Sequence, residues 1–411
     1  MNSEEDREMH ETELFQMALG LVDPWKVVRS SFDAEKSRLD VNIDFPRGSK
    51  FRCPVCGESC PAYDTSEKSW RHLSFFQHEA YLHARVPRVK CDACGVKQIG
   101  VPWAREDSGF TLLFEAYVMS MVMVMPVNNV AQRVKEHDTR LWRIVLHYVE
   151  RARDRSVFSA VIRAAFDETS ARRGHDYVTL FSDLDTRRVI FVADGKDSGT
   201  VEAFAADLIA HGGDPKAIAE VCIDMSAAFI KGTADHLPNA EITFDKFHAV
   251  KIINEAVDAV RRSEQKTRPE LNKTRYIWLK NSTNLTQPQQ DTLGSLSNSN
   301  LKTARAYQMR LTFQDLYTQP TRADAEAFLK KWYYWATHSR LQPMIDAAKT
   351  VKRHWDGILR WFDSKIANGF MEGINSLVQA AKAKARGYRS TRNLKAIIYL
   401  IAGKLELQLP M

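Results

Sequence analysis

The sequence lacks any apolar run able to cross a bilayer. Its longest, Met119 to Met125, falls far short of the ~20 residues a spanning helix needs, and Glu115 stands just before it. The N-terminus, Met1-Asn2-Ser3-Glu4-Glu5-Asp6, is acidic and has neither the basic start nor the apolar core of a signal peptide. These absences argue against a membrane-embedded or exported class and predict a cytoplasmic protein. No internal repeat is visible. Cysteine is scarce, with six in 411 residues, and five of them fall between Cys53 and Cys94; Cys222 stands alone. In a reducing compartment such a cluster points to metal binding rather than to disulfides.

What is present suits a multidomain globular protein. Hydrophobic residues make up 44% and charged residues 27%, enough for a real core. The formal net charge of +7 fits a nucleic-acid partner.

Cys53-Pro54-Val55-Cys56 and Cys91-Asp92-Ala93-Cys94 are two Cys-x-x-Cys knuckles. Two-residue spacing lets both thiolates of a knuckle reach one tetrahedral ion, and two knuckles complete a closed site for one structural Zn²⁺. Gly57 and Gly95 follow directly, where a tight turn needs positive φ. The 34 residues 57–90 between the knuckles have to hold a small sheet. Cys60 reads as a spare, and His72, His78 and His83 as surface or base-facing residues.

Residues 1–40 read as helical and residues 105–155 as helices. Within the latter, Val127, Val130, Ala131 and Val134 form one helix face. A short connection, Glu136-His137-Asp138, leads to a second stripe of Leu141, Val145 and Val149, with Asp138 or Thr139 as the cap. Arg140, Arg143 and His147 lie on its other face. Two short helices with basic residues on the second fit a helix-turn-helix whose recognition helix enters the major groove of double-stranded DNA.

From about residue 160 the pattern is three strands, a helix, a strand, a helix and a strand. Val161 to Phe166 is an apolar strand ending at Asp167. Tyr177 to Leu184 and Val189 to Ala193 form a hairpin. Ala219 to Ile223 ends at Asp224, and Ala240 to Phe244 at Asp245. Strand ends of an open α/β sheet are where sites form. Residues 250–355 read as mostly helical, interrupted by a loop-like polar stretch from Asn281 to Ser299. A long amphipathic helix pattern begins near 356, carries Glu372, and runs into the basic segment Lys382 to Lys395. Asp167, Asp224 and Glu372 converging on one point would offer hard oxygen donors that select two Mg²⁺ or Mn²⁺ ions. Glu168 reads as a turn or supporting residue.

In this order, Phe166-Asp167-Glu168, Ile223-Asp224-Met225-Ser226, Phe244-Asp245-Lys246-Phe247-His248 and Asn368-Gly369-x-x-Glu372-Gly373-x-Asn375, with the knuckles and helix pair before them, resemble a DDE transposase of the bacterial ISL-three insertion-sequence family. Tyr276 to Asn281 with Leu285-Thr286 is similar to that family's helical insertion. The resemblance implies Asp167, Asp224 and Glu372 as the catalytic triad on an RNase H-like fold, with Asp245 and His248 near the scissile phosphate. One departure is that Ser376 to Ala381 stand where relatives usually carry lysines.

The expected architecture is multidomain α+β. It comprises an N-terminal helical segment (1–40), a zinc-knuckle DNA-binding module (41–104), a helix-turn-helix (105–155), an RNase H-like catalytic core in two parts (156–262 and 356–411) and a helical insertion (263–355). The expected function is metal-dependent cleavage and transfer of insertion-sequence ends, by a dimer or larger assembly on DNA. Arg140, Arg143, Lys382, Lys384, Arg386, Arg389 and Arg392 are the expected DNA contacts. The competing reading is a catalytically inactive zinc and helix-turn-helix regulator.

Overall fold

The computed structural model describes residues 11–172, 174, 176–366 and 369–410. By internal contacts the chain divides into two units, residues 1–148 with 407–411, and residues 149–406.

The first unit opens with α1 (Glu11–Ala18), followed by β1 (Lys26–Asp33), β2 (Arg38–Asp44) and β3 (Lys50–Arg52). The long hairpin of β4 (Ser59–Phe75) and β5 (His78–Cys91) comes next, then β6 (Gly95–Gln98). The strands form one sheet in the order β1-β2-β5-β4-β3, with β6 paired to β5. Residues 26–40 are therefore largely strand, where the sequence analysis expects helix. The overlooked signal is the alternation of Leu39, Val41 and Ile43, which are buried while their neighbours are half-buried. Those side chains join Trp25, Trp70, Leu82 and Trp103 in one core.

Three helices complete this unit: α2 (Leu112–Val122), α3 (Val127–Val134) and α4 (Asp138–Asp154), the last crossing the division between the units. Val127, Val130, Ala131 and Val134 are all buried, as their spacing predicts. The connection closes through Lys135 in the left-handed region (φ 57°) and His137, whose Nδ1 accepts from the Thr139 N–H at 3.3 Å. The cap is thus His137, ahead of the expected Asp138 or Thr139. Glu115 is fully buried; it accepts from Arg105 Nε at 2.9 Å, Ser108 Oγ at 2.6 Å and Tyr148 Oη at 3.0 Å. A buried carboxylate needs that full set of donors. Arg71 of β4, also buried, approaches Glu136 at 4.0 Å and lies over the Phe114 ring.

The second unit is built on β7 (Arg163–Ser170), β8 (Tyr177–Asp183), β9 (Arg188–Asp194), α5 (Gly199–Ala210), β10 (Glu220–Ile223), α6 (Ala227–His236) and β11 (Glu241–Phe244). The sheet order is β11-β10-β7-β8-β9. β7, β8 and β9 form an antiparallel meander, whereas β10 and β11 run parallel to β7. Phe166, Phe181, Phe204 and Phe229 fill the layer between sheet and helices.

Helices follow: α7 (Lys246–Glu264), α8 (Arg275–Leu279), α9 (Gln287–Ser297), α10 (Lys302–Gln314), α11 (Arg322–Thr337) and α12 (Gln342–Arg353). α9 occupies most of the stretch expected to be loop. Its polarity conceals a capping box, with Thr286 and Gln289 each bonding the other's backbone, and a proline in the first turn. Buried side chains of α7 to α12 are continuous with the core under the sheet.

The chain ends with α13 (Trp355–Leu359), α14 (Trp361–Ser364), α15 (Gly369–Ala385) and α16 (Thr391–Ala402). The single long helix expected from 356 is therefore four. The last break comes at Arg386 (φ 56°) and Gly387 (φ 93°), where the Gly387 N–H returns to the Lys382 carbonyl at 2.8 Å. α16 covers edge strand β9, where Tyr399 Oη accepts the Val192 N–H at 3.0 Å.

Candidate functional site

The cysteine site lies where the hairpin and its neighbours end. β3 delivers Cys53, β5 ends at Cys91, and the two knuckle turns close at Gly57 (φ 77°) and Gly95 (φ 73°), as expected. The Sγ atoms of Cys53, Cys56, Cys91 and Cys94 all lie within 4.8 Å of one another, with Cys56 and Cys91 at 3.5 Å. A tetrahedral zinc with ~2.3 Å arms has sulfur–sulfur edges of about 3.8 Å, so the four thiols fit the ion. Backbone N–H groups of Cys56 and Val55 hold the Cys53 thiol down at about 7, while the bond with Cys56 pushes the Cys94 thiol up to about 12, so the full set of thiolates forms only where a cation offsets their charge. Cys60 lies outside this set, as expected; its Sγ points to the Glu58 carbonyl at 3.7 Å. The three histidines have other partners: His72 meets Thr111 Oγ1 at 2.9 Å, His83 meets Asp40 at 2.6 Å, and His78 meets the Phe32 ring edge to face.

A second site forms at the switch point of the five-stranded sheet. β7 continues past Asp167 to Ser170, so Asp167 is not at a strand end. Its pairing with β10 stops at Ala165, however, and that side of the strand opens at Asp167. Asp224 follows β10 directly, and Asp245 follows β11 and caps α7 by accepting the Phe247 N–H at 3.3 Å. His248 lies in the first turn of α7.

Asp167 is buried, and that desolvation raises its carboxyl to about 6. The nearby His248 opposes this rise, while Asp224 and Glu168 add to it, so these groups lie within electrostatic reach of one another. Asp167 Oδ1 accepts the Glu168 N–H at 2.9 Å, and Oδ2 accepts from Asn375 Nδ2 at 2.8 Å. Asp224 Oδ1 accepts the Ser226 N–H at 2.9 Å. Glu168 pairs with Lys196 Nζ at 3.3 Å.

Glu372 lies in the first turn of α15 and is exposed. Among the described residues, only the four cysteines form a set of three or more His, Cys, Asp or Glu side chains able to share an ion. The structure thus brings together Asp167, Asp224 and His248, with Asp245 ending the adjacent strand, and anchors α15 beside them. It does not close Glu372 onto the other two acids. Asn368 lies outside the described residues. Asn375 belongs to the Asn-Gly-x-x-Glu-Gly-x-Asn element, where the sequence alone assigns it no role. Its spacing of three from Glu372, which places both on one helix face, is the signal that could have found it.

The basic residues divide. Arg143 is exposed on α4. Arg140 is partly committed, pairing with Glu136 and lying 4.3 Å over the Phe110 ring. Lys382 donates to the Ser170 carbonyl and to Gln379 Oε1, so it docks α15 instead of facing solvent. Arg392 bonds Glu150 at 2.6 Å, and Arg386 is exposed in the turn. Lys384 is exposed at the end of α15, and Arg389 is exposed just before α16.

Three family models match the chain. One described as transposase spans residues 165–398, and one described as the helix-turn-helix domain of transposase family ISL3 spans 101–149. The third, described as the zinc-finger of transposase IS204/IS1001/IS1096/IS1165, spans 49–94. Among similar proteins, the transposase for insertion sequence element IS1557 of Mycobacterium tuberculosis (strain ATCC 25618 / H37Rv) is 27% identical over 386 residues, covering 85% of each chain. The transposase for insertion sequence element IS1001 of Bordetella parapertussis is 27% identical over 359 residues, covering 84% of this chain and 87% of its own.

Proposed function

The chain belongs to the ISL3 transposase family, and from that premise we propose that it binds the ends of an insertion sequence and cuts and joins DNA there through Asp167, Asp224 and Glu372. The observation that carries this is the pair of acids at the open switch point of the sheet, with the helix bearing Glu372 tied to one of them through Asn375. The strand order and directions, an antiparallel meander extended by two parallel strands, support an RNase H-like core, and α8 to α12 read as its helical insertion.

The donor set fits two divalent cations. Asp167 and Asp224 are hard oxygen ligands on adjacent strands, and beside them Asn375 Oδ1 is a buried oxygen without a hydrogen-bond partner among the described residues. Bound Mg²⁺ or Mn²⁺ would neutralise charge building on the entering and leaving oxygens of a phosphodiester. The chain's own part is to fix the ligands. The Glu168 N–H and Asn375 amide orient Asp167, and the Ser226 N–H orients Asp224. The sheet sets the spacing of the two acids. Glu372 is exposed in the first turn of the docked α15, so its side chain has to turn inward to join them once cations offset the mutual repulsion of three carboxylates. Asp245 and His248 lie beside the scissile phosphate in this reading.

The zinc module and helix-turn-helix supply end recognition, with Arg143 on the recognition helix, and Arg386 and Lys384 add contacts to phosphate. Pairing two ends calls for at least a dimer on DNA, and the reaction belongs in the cytoplasm at the nucleoid. Among the described residues, no helix is long and apolar enough to cross a membrane.

Cleavage of labelled end DNA in Mg²⁺ tests the reading. Asp167→Ala, Asp224→Ala and Glu372→Ala are each expected to abolish nicking with end binding intact, and Glu168→Ala to be much milder. Nicking at near wild-type rate by any of the first three refutes the assignment and favours the regulator.

A further inference from the structure

The face of α15 that meets β7 carries Asn375, Gln379 and Lys382, spaced four and three apart. Two of these make ordinary docking bonds. Gln379 Nε2 donates to Thr169 Oγ1 at 2.7 Å and to the Ser170 carbonyl at 3.2 Å, and Lys382 donates to the same carbonyl. Asn375 differs, because its Nδ2 donates to a carboxylate oxygen of the candidate metal site, Asp167 Oδ2, at 2.8 Å. An ionised carboxylate only accepts, so the amide nitrogen faces Asp167 and the orientation of the amide follows. Asn375 Oδ1 is then left buried with no hydrogen-bond partner among the described residues. Buried carbonyl oxygens without a donor are uncommon, and one at a site of hard oxygen ligands suits a donor arriving with the ion, such as ion-bound water.

Resting on the carboxylate reading above, we propose that Asn375 is the positioning residue of the metal site. Its amide nitrogen orients Asp167, its amide oxygen faces the hydrated cation, and its bond to β7 sets the rotation of α15 that presents Glu372. Glu372 lies three residues earlier, on the same helix face, so any roll of α15 that breaks the Asn375–Asp167 bond also turns Glu372 away. Gln379 and Lys382 hold the far end of the helix and cannot substitute, because neither touches an acid of the site.

Mn²⁺ binding to the full-length protein, measured by calorimetry with uncut end DNA bound, separates this role from simple docking. Asn375→Ala is expected to weaken Mn²⁺ binding about 10–100-fold, and to raise the Mn²⁺ needed for half-maximal nicking by the same factor. The nicking rate at saturating Mn²⁺ should recover most of the way. Gln379→Ala, which removes docking bonds alone, is expected to leave Mn²⁺ affinity near wild type. Thermal unfolding checks that both variants are folded. Unchanged Mn²⁺ affinity in Asn375→Ala, or equal losses in the two variants, overturns the proposal. Asp167→Ala is the separate arm: it should lose Mn²⁺ binding, and retention there would overturn the carboxylate reading and this inference with it.

Discussion

The cysteine site and the proposed carboxylate site differ in how far the chain assembles them. In the zinc module four thiols are already within 4.8 Å, each held at a strand end or tight turn of one sheet. In the second unit two acids sit on adjacent strands, and the third is exposed on a helix reached only after α7 to α14. The first arrangement suits an ion that is part of the fold, since a closed set of ligands leaves no position for substrate. The second suits an ion that works with a substrate, since a site that closes late stays open to DNA. Ligands from neighbouring turns gather as the chain folds, whereas ligands from distant elements need a docking event.

The strongest way to break this comparison is to remove the zinc. Chelation, or Cys91→Ser, should unfold residues 26–98 outright, because binding free energy of roughly 10–16 kcal/mol is folding free energy in such modules. Hydrogen exchange should show residues 149–406 still protected. A module that stays folded without metal would make the thiol cluster incidental.

Acid gives a smaller effect in the same region. Burial, with Arg71 beside it, holds His72 down at about 4. Its folded value lies below the unfolded one, so its contribution is complete above pH 6.5 and is lost as pH falls toward 4. At most about 3.4 kcal/mol is involved. Denaturant titrations between pH 7 and 4 should show this slope in wild type and a flatter one in His72→Gln.

In the second unit, Gly357→Ala would put a methyl group 2.5 Å from the Phe244 ring, next to Asp245. We expect about 1–3 kcal/mol of destabilisation by overpacking, slower cleavage and unchanged end binding. Calorimetry and a gel-shift assay check the two halves of that statement. The smallest expected effect is Arg143→Ala, which should weaken end binding by about 1 kcal/mol without altering stability. Equal binding by wild type and variant would move recognition away from α4.

How legible each region was in the sequence follows the same division. The knuckles are local patterns, and Gly57 and Gly95 mark their turns, so the zinc ligands could be read directly. The helix pair was legible because Val127, Val130, Ala131 and Val134 keep helical period. Asp224 and Asp245 were legible as the ends of short apolar runs. The errors arose where local cues compete. Leu39, Val41 and Ile43 alternate within a charged stretch, and α9 hides behind serine, asparagine and glutamine. The last break in the C-terminal helices rests on Gly387 and a left-handed Arg386 within an unbroken amphipathic pattern, and the one after α14 on a left-handed Lys365. The Asn375–Asp167 bond joins residues 208 apart in sequence, and only tertiary packing could reveal it.

The central claim is that Asp167, Asp224 and Glu372 come to share divalent ions at the switch point of the sheet. A crystal of the protein on uncut end DNA, grown in Mn²⁺ and measured for anomalous scattering, tests it most directly. The account predicts two peaks roughly 3.5–4 Å apart, held by Asp167, Asp224 and Glu372 with the scissile phosphate against them. Peaks held by other acids, with Glu372 still facing solvent, would contradict it.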